Sequence, residues 1–263
     1  MFLRVRFGLA PLALVYGTWA ALIASPGVVR GETILDRGHV DIGIGFANGE
    51  WDLHVHDDET GMEYEPGEVI LRANLASITT RPLSSAFDFI GVGPGQKYWR
   101  LPFSEIPDVL YLGVGSEEID PALFGSWNPN EPSKGITTSG RWLQLSLVDV
   151  RGAGVFSVWT SGDTGPLVMM TTSDGISAAD SLYVLAGSHT HFNWGFSRAG
   201  MYEVDFKAGG FLANGQWSES GVVTYRFQAV PEPSALALFG AGSLITLVSL
   251  RRRLRPGPNR PGI

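Results

Sequence analysis

The sequence predicts an all-β fold, an antiparallel β-sandwich, between a signal helix at the N-terminus and a transmembrane helix at the C-terminus. Three observations support the β prediction. Apolar residues alternate with small or polar ones along several stretches, as they do on half-buried strands. The chain of 263 residues holds 34 glycines, and its Asn-Gly pairs at 48–49 and 214–215 are typical of hairpin turns. Between residues 32 and 229, no stretch carries a long apolar repeat at helical spacing.

Residues 1–31 have the composition of a secretory signal peptide. Arg4 and Arg6 precede an apolar stretch, which is the order of charged and apolar regions in such segments. The stretch is marginal in length for a membrane span, so a cleaved signal is favoured over an N-terminal anchor. Small residues suited to cleavage occur at Ala24 and at Gly31, and the sequence leaves both open.

The first part of the middle region, residues 32–229, predicts a hairpin centred on Asn48-Gly49. With these two as the central turn residues, Phe46 faces Trp51 and the register follows along both strands. Because side chains alternate between faces, one face is then apolar and the other carries metal-ligand types. The second face holds His39, Asp41, His54 and His56, with Gly43 and Gly45 leaving room above it and His39 opposite Asp58.

A second histidine pair lies in the later strands. Alternation along residues 187–196 places His189, His191 and Asn193 on one face. Further alternating stretches follow at 201–208 and 223–227. If the strand with the second pair adjoins the first hairpin, three to five imidazoles converge.

All five histidines belong to these two groups, and this pattern favours a zinc-like transition-metal site, because imidazole binds zinc, copper, nickel and iron. The chain has no cysteine, so disulfides, thiolate sites and a cysteine nucleophile are excluded. The candidate ligands are His39, Asp41, His54, His56, His189 and His191. In the alternative interpretation, these histidines only brace a polar sheet face through hydrogen bonds.

The C-terminal region combines three signals in a fixed order. Pro231, Glu232 and Pro233 precede an apolar run at 235–250, which predicts a membrane helix, and Arg251, Arg252 and Arg253 follow. The arginines favour the cytoplasmic side, which places the middle region outside. We expect a sorting segment at 230–255 and a disordered tail at 256–263.

This order resembles the PEP-CTERM sorting signal of Gram-negative bacteria. The resemblance implies recognition and processing by exosortase-type machinery. It also implies membrane anchoring before processing, and a final location at the cell surface or in the extracellular matrix.

The charge distribution agrees with an exported domain. The net charge is −7, but the two ends hold eight arginines and no acid, so residues 32–250 carry 11 basic and all 26 acidic residues. A strongly acidic domain repels polyanions, which argues against nucleic acid as a partner.

The middle region resembles the choice-of-anchor M, or surface-anchored protein, domain. The matching stretches are Gly38-His39-Val40-Asp41, Trp51 through His56, Leu112 through Gly115, and above all Gly187 through Tyr202. Some actinobacterial relatives in that family are associated with metal-type ABC transporters. The resemblance therefore implies metal handling by analogy and no established catalysis.

The sequence thus predicts an exported surface protein that binds a transition metal and is not an enzyme, since it contains no complete catalytic motif such as Gly-x-Ser-x-Gly. One alternative is a structural or adhesive matrix protein without metal, with extracellular polysaccharide as a possible partner. Another is a metal-dependent hydrolase with Asp41 as general base.

Overall fold

A computed structural model describes residues 32–232 of the chain. The predicted signal peptide, the apolar run at 235–250 and the tail at 256–263 lie outside these residues. Pro233 and the arginines at 251–253 lie outside them as well. Within residues 32–232, none of the helices has the length and apolar character that a membrane span requires.

The described residues are mostly β-strand, which confirms the predicted fold class at that level. Five short 3₁₀ helices connect strands, at Pro66–Glu68, Leu75–Ser77, Ser85–Ile90, Pro121–Leu123 and Pro132–Lys134. The strands are β1 (Thr33–Leu35), β2 (Gly38–Ala47), β3 (Glu50–Asp57), β4 (Met62–Tyr64), β5 (Val69–Ala73), β6 (Ile78–Thr80), β7 (Lys97–Leu101), β8 (Leu110–Gly115), β9 (Trp142–Gly152), β10 (Phe156–Gly162), β11 (Gly165–Thr171), β12 (Ser181–Leu185), β13 (His189–His191), β14 (Asn193–Phe196), β15 (Gly200–Phe211), β16 (Trp217–Glu219) and β17 (Val223–Ala229).

These strands form three sheets. A seven-stranded sheet has the order β1-β5-β17-β15-β9-β12, with β16 paired to β15. A first five-stranded sheet has the order β11-β10-β14-β7-β6. The second five-stranded sheet, β13-β8-β2-β3-β4, carries all five histidines and is called the histidine sheet below.

The prediction of a wholly antiparallel architecture is wrong. The pairs β1–β5, β5–β17 and β2–β8 are parallel. Alternation of apolar and polar residues is the same in parallel and antiparallel strands, so the sequence pattern does not distinguish them. In the histidine sheet, β2 and β8 run parallel because a long connection carries the chain back to the same end.

The predicted hairpin is confirmed. Phe46 pairs with Trp51, and the register continues through β2 and β3 to Asp41 opposite His56. Asn48 and Gly49 both have positive φ, 55° and 86°, which is the conformation of a type I′ turn. The turn therefore fixes which face each histidine of this hairpin takes.

The apolar faces of the three sheets share one core. Phe156 of β10 lies 6.4 Å from Phe206 and 6.0 Å from Phe227, between ring centroids, so the large sheet contacts the first five-stranded sheet. The Tyr225 hydroxyl donates a hydrogen bond of 3.2 Å to the His54 carbonyl, which joins the large sheet to the histidine sheet. Burial of one face leaves the histidines on the opposite face.

We expect Gly49→Ala to lower the free energy of unfolding by about 1–2 kcal/mol, the usual cost of a side chain in the left-handed region. Nothing lies within 4 Å of a Cβ added there, so the cost comes from backbone conformation alone. Gly67→Ala is the matched control: it also meets open space but lacks a positive φ. It should be neutral or stabilising by up to about 1 kcal/mol. Urea unfolding measures the free energy of unfolding of both variants, and equal destabilisation of the two would contradict the assigned turn.

Candidate metal centre

The strand register brings both histidine groups to one face of the histidine sheet. One row of paired residues crosses all five strands, and its members are His191, Gly113, Asp41, His56 and Glu63. A neighbouring row joins His189, Gly115, Gly43 and His54. Residues paired across strands point to the same face. The convergence that the metal hypothesis assumes is therefore present at the level of the sheet.

Two glycines in these rows make room for the ligand-type side chains. A Cβ added to Gly113 would lie 2.0 Å from Asp41 Oδ1 and 2.8 Å from a carbon of the His191 ring. A Cβ added to Gly43 would lie 2.2 Å from His54 Nε2. The side chains of β2, β3 and β13 thus lean over glycine positions, where any larger residue would displace them.

The primary cluster consists of His39, His189 and His191. One ring nitrogen from each lies within 4.8 Å of the others. The ring centroid of His191 lies 4.8 Å from that of His39 and 5.5 Å from that of His189, and the His39 and His189 centroids lie 5.7 Å apart. Asp41 Oδ2 lies 3.8 Å from His39 Nε2, so a carboxylate borders the three imidazoles.

Several polar atoms of this cluster are buried without a hydrogen-bond partner among the described residues. They are His39 Nε2, Asp41 Oδ1 and both ring nitrogens of His191. A buried polar atom without a partner costs about 1–3 kcal/mol, and native structures rarely gather such atoms in one place. One cation can take only one ring nitrogen of His191, so an ion bound by that nitrogen, His39 Nε2 and Asp41 Oδ1 would satisfy three of these four atoms.

Two acidic residues contact Nδ1 of His39 and of His189. His39 Nδ1 lies 2.7 Å from Asp58 Oδ2, and His189 Nδ1 lies 2.5 Å from Glu117 Oε1. In the tautomer that donates Nδ1–H to a carboxylate, Nε2 carries the lone pair. This carboxylate–imidazole arrangement is the usual support of a metal-binding histidine.

Tyr111 holds the third ring in place. Its ring stacks on His191 with centroids 3.6 Å apart and planes at 4°. The same ring lies 5.1 Å from His39. Stacking therefore orients His191, and neither ring nitrogen has a hydrogen bond of ordinary geometry within residues 32–232.

The pKa values in the cluster shift in different directions. Burial, together with the neighbouring His39 and His189, lowers the pKa of His191 to about 4, against the opposing effect of the Leu112 backbone. His191 is therefore neutral at neutral pH, which is the form that binds metals. Burial also raises the pKa of Asp41 to about 6, opposed by His39 and assisted by Asp58. The hydrogen bond to Glu117 raises the pKa of His189.

His54 and His56 do not join the primary cluster. They lie with Glu63 and Glu118, and one ligand atom from each of these four lies within 4.8 Å of the others. The six candidate ligands from the sequence therefore divide into two neighbouring groups on one sheet face.

Sequence reasoning missed several residues of the site. Glu117, Glu118 and Tyr111 come from β8 and the loop after it, and they lie beside the histidines only because β8 separates β2 from β13. Asp58 was not missed, because the predicted hairpin register already placed it opposite His39. Pairing of His56 with Glu63 depends on β4, which has no alternating pattern long enough to predict.

Comparison with known proteins identifies one segment of the chain. The family model of the PEP-CTERM protein-sorting motif matches residues 229–253. The predicted sorting signal is thus confirmed, and it implies recognition by exosortase machinery and an exported, cell-surface protein. The resemblance of the middle region to the choice-of-anchor M domain receives no support. No curated protein and no solved structure matches the chain.

The start of the sorting motif is held against the domain. Val230 donates its backbone N–H to the Ala73 carbonyl at 3.0 Å and accepts a bond of 2.8 Å from the Trp99 indole. Glu232 pairs with Lys97 at 2.5 Å. The motif therefore begins directly where β17 ends.

We expect Gly113→Ala to destabilise the metal-free protein by about 1–3 kcal/mol, the usual cost of overpacking. The added methyl group would meet Asp41 and His191 in a buried cluster. Gly45→Ala is the control on the same sheet face, because its nearest neighbour is the exposed Asp52 side chain at 3.2 Å. Unfolding in urea with a chelator present measures both, and a neutral Gly113→Ala would contradict the packing described.

Proposed function

We propose that the chain is an exported surface protein whose β-sandwich domain, residues 32–229, binds a transition metal ion such as zinc. His39, His189 and His191 are the proposed ligands, with Asp41 as the neighbouring carboxylate. The observation that carries the proposal is the gathering of four unsatisfied buried polar atoms on three of these residues. The protein would act as a binding or accessory protein and not as a catalyst.

The donor set supports a borderline metal ion. Three imidazoles and one carboxylate are ligands that zinc accepts in tetrahedral sites, and imidazole also suits copper, nickel and iron. Asp58 and Glu117 supply the outer carboxylates that orient two of the imidazoles. Calcium and magnesium prefer all-oxygen sites, so this cluster favours transition metals over them.

The sorting motif and the acidic charge place this chemistry in a consistent setting. Exosortase processing of the C-terminal segment would leave the domain at the cell surface. An acidic surface raises the local concentration of cations around it. The proposed location at the cell surface and the proposed cation binding are therefore consistent with each other.

The bracing role proposed as an alternative explains the site less well. The carboxylates of Asp58 and Glu117 brace His39 and His189, but neither nitrogen of His191 has a hydrogen bond of ordinary geometry within residues 32–232. Three of the seven tryptophans in these residues, Trp99, Trp159 and Trp194, are buried in the core and cannot stack on a sugar.

A metal-dependent hydrolase is the second candidate. Asp41 lines a cavity of about 100 Å³ together with His54 and His56, so as a general base it would act on water held in that cavity. Turnover of an ester or phosphoester probe that a chelator abolishes and zinc restores would favour this candidate over simple binding.

We expect the purified protein to retain zinc after dialysis and His191→Ala to retain at least one equivalent less. Thr190→Ala is the control, since Thr190 lies on the same strand but points to the opposite face. At zinc concentrations of about 100 times Kd, binding should stabilise the wild type and the control by roughly 2.7 kcal/mol. His191→Ala should gain much less.

Elemental analysis and thermal unfolding measure both effects. Absence of stoichiometric metal in the wild type, together with no thermal gain from added zinc, would refute metal binding. The structural or adhesive role would then stand.

A further inference from the structure

A second group of ligand-type side chains lies beside the primary cluster. His54 and His56 come from β3, Glu63 comes from β4, and Glu118 comes from the loop after β8. One ligand atom from each lies within 4.8 Å of the others. None of these four residues belongs to the primary cluster of His39, His189 and His191.

This group surrounds a built cavity. The cavity measures about 100 Å³, and its lining includes His54, His56 and Glu118 together with Gly43 and Asp41. His54 is only 6% exposed, and its Nε2 lies over Gly43. Its Nδ1 makes no hydrogen bond within the described residues but lies 3.3 Å from Asp52 Oδ2. The absence of a side chain at Gly43 gives the His54 ring its place, as described above.

The spacing of the group fits a single ion. His56 Nδ1 lies 4.0 Å from Glu63 Oε1. Two ligand atoms of a tetrahedral zinc ion lie roughly 3.4 Å apart, given bonds of about 2.1 Å, so this pair is wider than a tetrahedral site by roughly 0.6 Å. Small side-chain adjustments would bring both to coordination distance, because Glu63 is exposed at the edge strand.

Asp58 connects the two groups. Its Oδ2 lies 2.7 Å from Nδ1 of His39, and its Oδ1 lies 3.2 Å from Nε2 of His56. One carboxylate thus orients one imidazole of each group. With Nε2 of His56 directed at Asp58, Nδ1 of His56 is left to face Glu63.

We infer that the histidine sheet holds two metal positions, and that His54, His56, Glu63 and Glu118 form the second. The inference rests on the proposed function and deepens it. Two imidazoles and two carboxylates favour a divalent transition metal ion, zinc or one of its neighbours. Asp58 is the shared positioning residue, so an ion at either position orders the carboxylate that supports the other.

Zinc titration of the chelator-stripped, purified full-length protein tests this inference, with stoichiometry read by calorimetry and elemental analysis. The wild type should bind two equivalents. Glu118→Gln should bind one, and His191→Ala should bind one, because each variant removes a different position. Glu50→Gln changes an exposed carboxylate at the far end of β3 and should still bind two.

A variant of Asp58 tests the link between the positions. Asp58→Asn should weaken both binding steps by about 10–100-fold, the usual effect of losing an outer carboxylate. Weakening of one step alone would show that Asp58 does not couple the positions.

The outcomes separate this inference from the proposed function. No bound zinc in the wild type refutes both. One equivalent that Glu118→Gln keeps and His191→Ala loses refutes the second position and leaves the proposed function intact. One equivalent that both variants lose indicates a single shared position and overturns the inference. If circular dichroism shows Glu118→Gln unfolded, Glu63→Gln at the exposed edge strand replaces it, with the same expected loss of one equivalent.

Discussion

The parallel pairing of β2 with β8 is the constraint on which the site depends. This pairing places Gly113 directly beside Asp41 and Gly115 beside Gly43. Because β13 then pairs with the other edge of β8, His189 and His191 reach the same face as the hairpin histidines. A slip of one residue in either pairing would turn these side chains to the opposite face. The whole cluster therefore follows from one strand register.

The two faces of the histidine sheet differ in what they contribute to stability. One face is anchored in the core, where Trp194 donates a hydrogen bond of 3.0 Å to the Leu112 carbonyl and Tyr225 bonds to β3. The other face gathers buried atoms of His39, Asp41, His54 and His191 that have no partner. Natural proteins break the rule of polar satisfaction chiefly at functional sites. The core-packed face thus stabilises the sheet, and the polar atoms of the opposite face favour binding of a ligand.

The domain and its sorting motif are joined without a spacer. β17 lies inside the large sheet between β5 and β15, and the matched motif starts at its last residue. Val230 and Glu232 still contact β5 and β7 through Ala73 and Lys97. The described residues of the motif, 229–232, therefore lie against the folded domain.

Much of the fold and part of the site could be predicted from residues close in sequence. The alternation of apolar and polar residues predicted strands, and the Asn48-Gly49 turn predicted the hairpin register that pairs Asp41 with His56. That register depends only on a local turn, which explains why the prediction succeeded. The sorting motif at 229–253 was likewise predictable because it is a contiguous pattern.

The tertiary structure decided what depends on partners distant in the chain. Long connections determine that β2 pairs in parallel with β8 and that β13 lies at the sheet edge. They also determine how the histidines divide into two groups. The roles of Tyr111, Glu117 and Glu118 follow from the same neighbours. Period-two alternation fixes the face of each side chain but not the strand beside it. The sequence by itself therefore determined the types of ligand and their faces, and only the assembled sheet determined which of them meet.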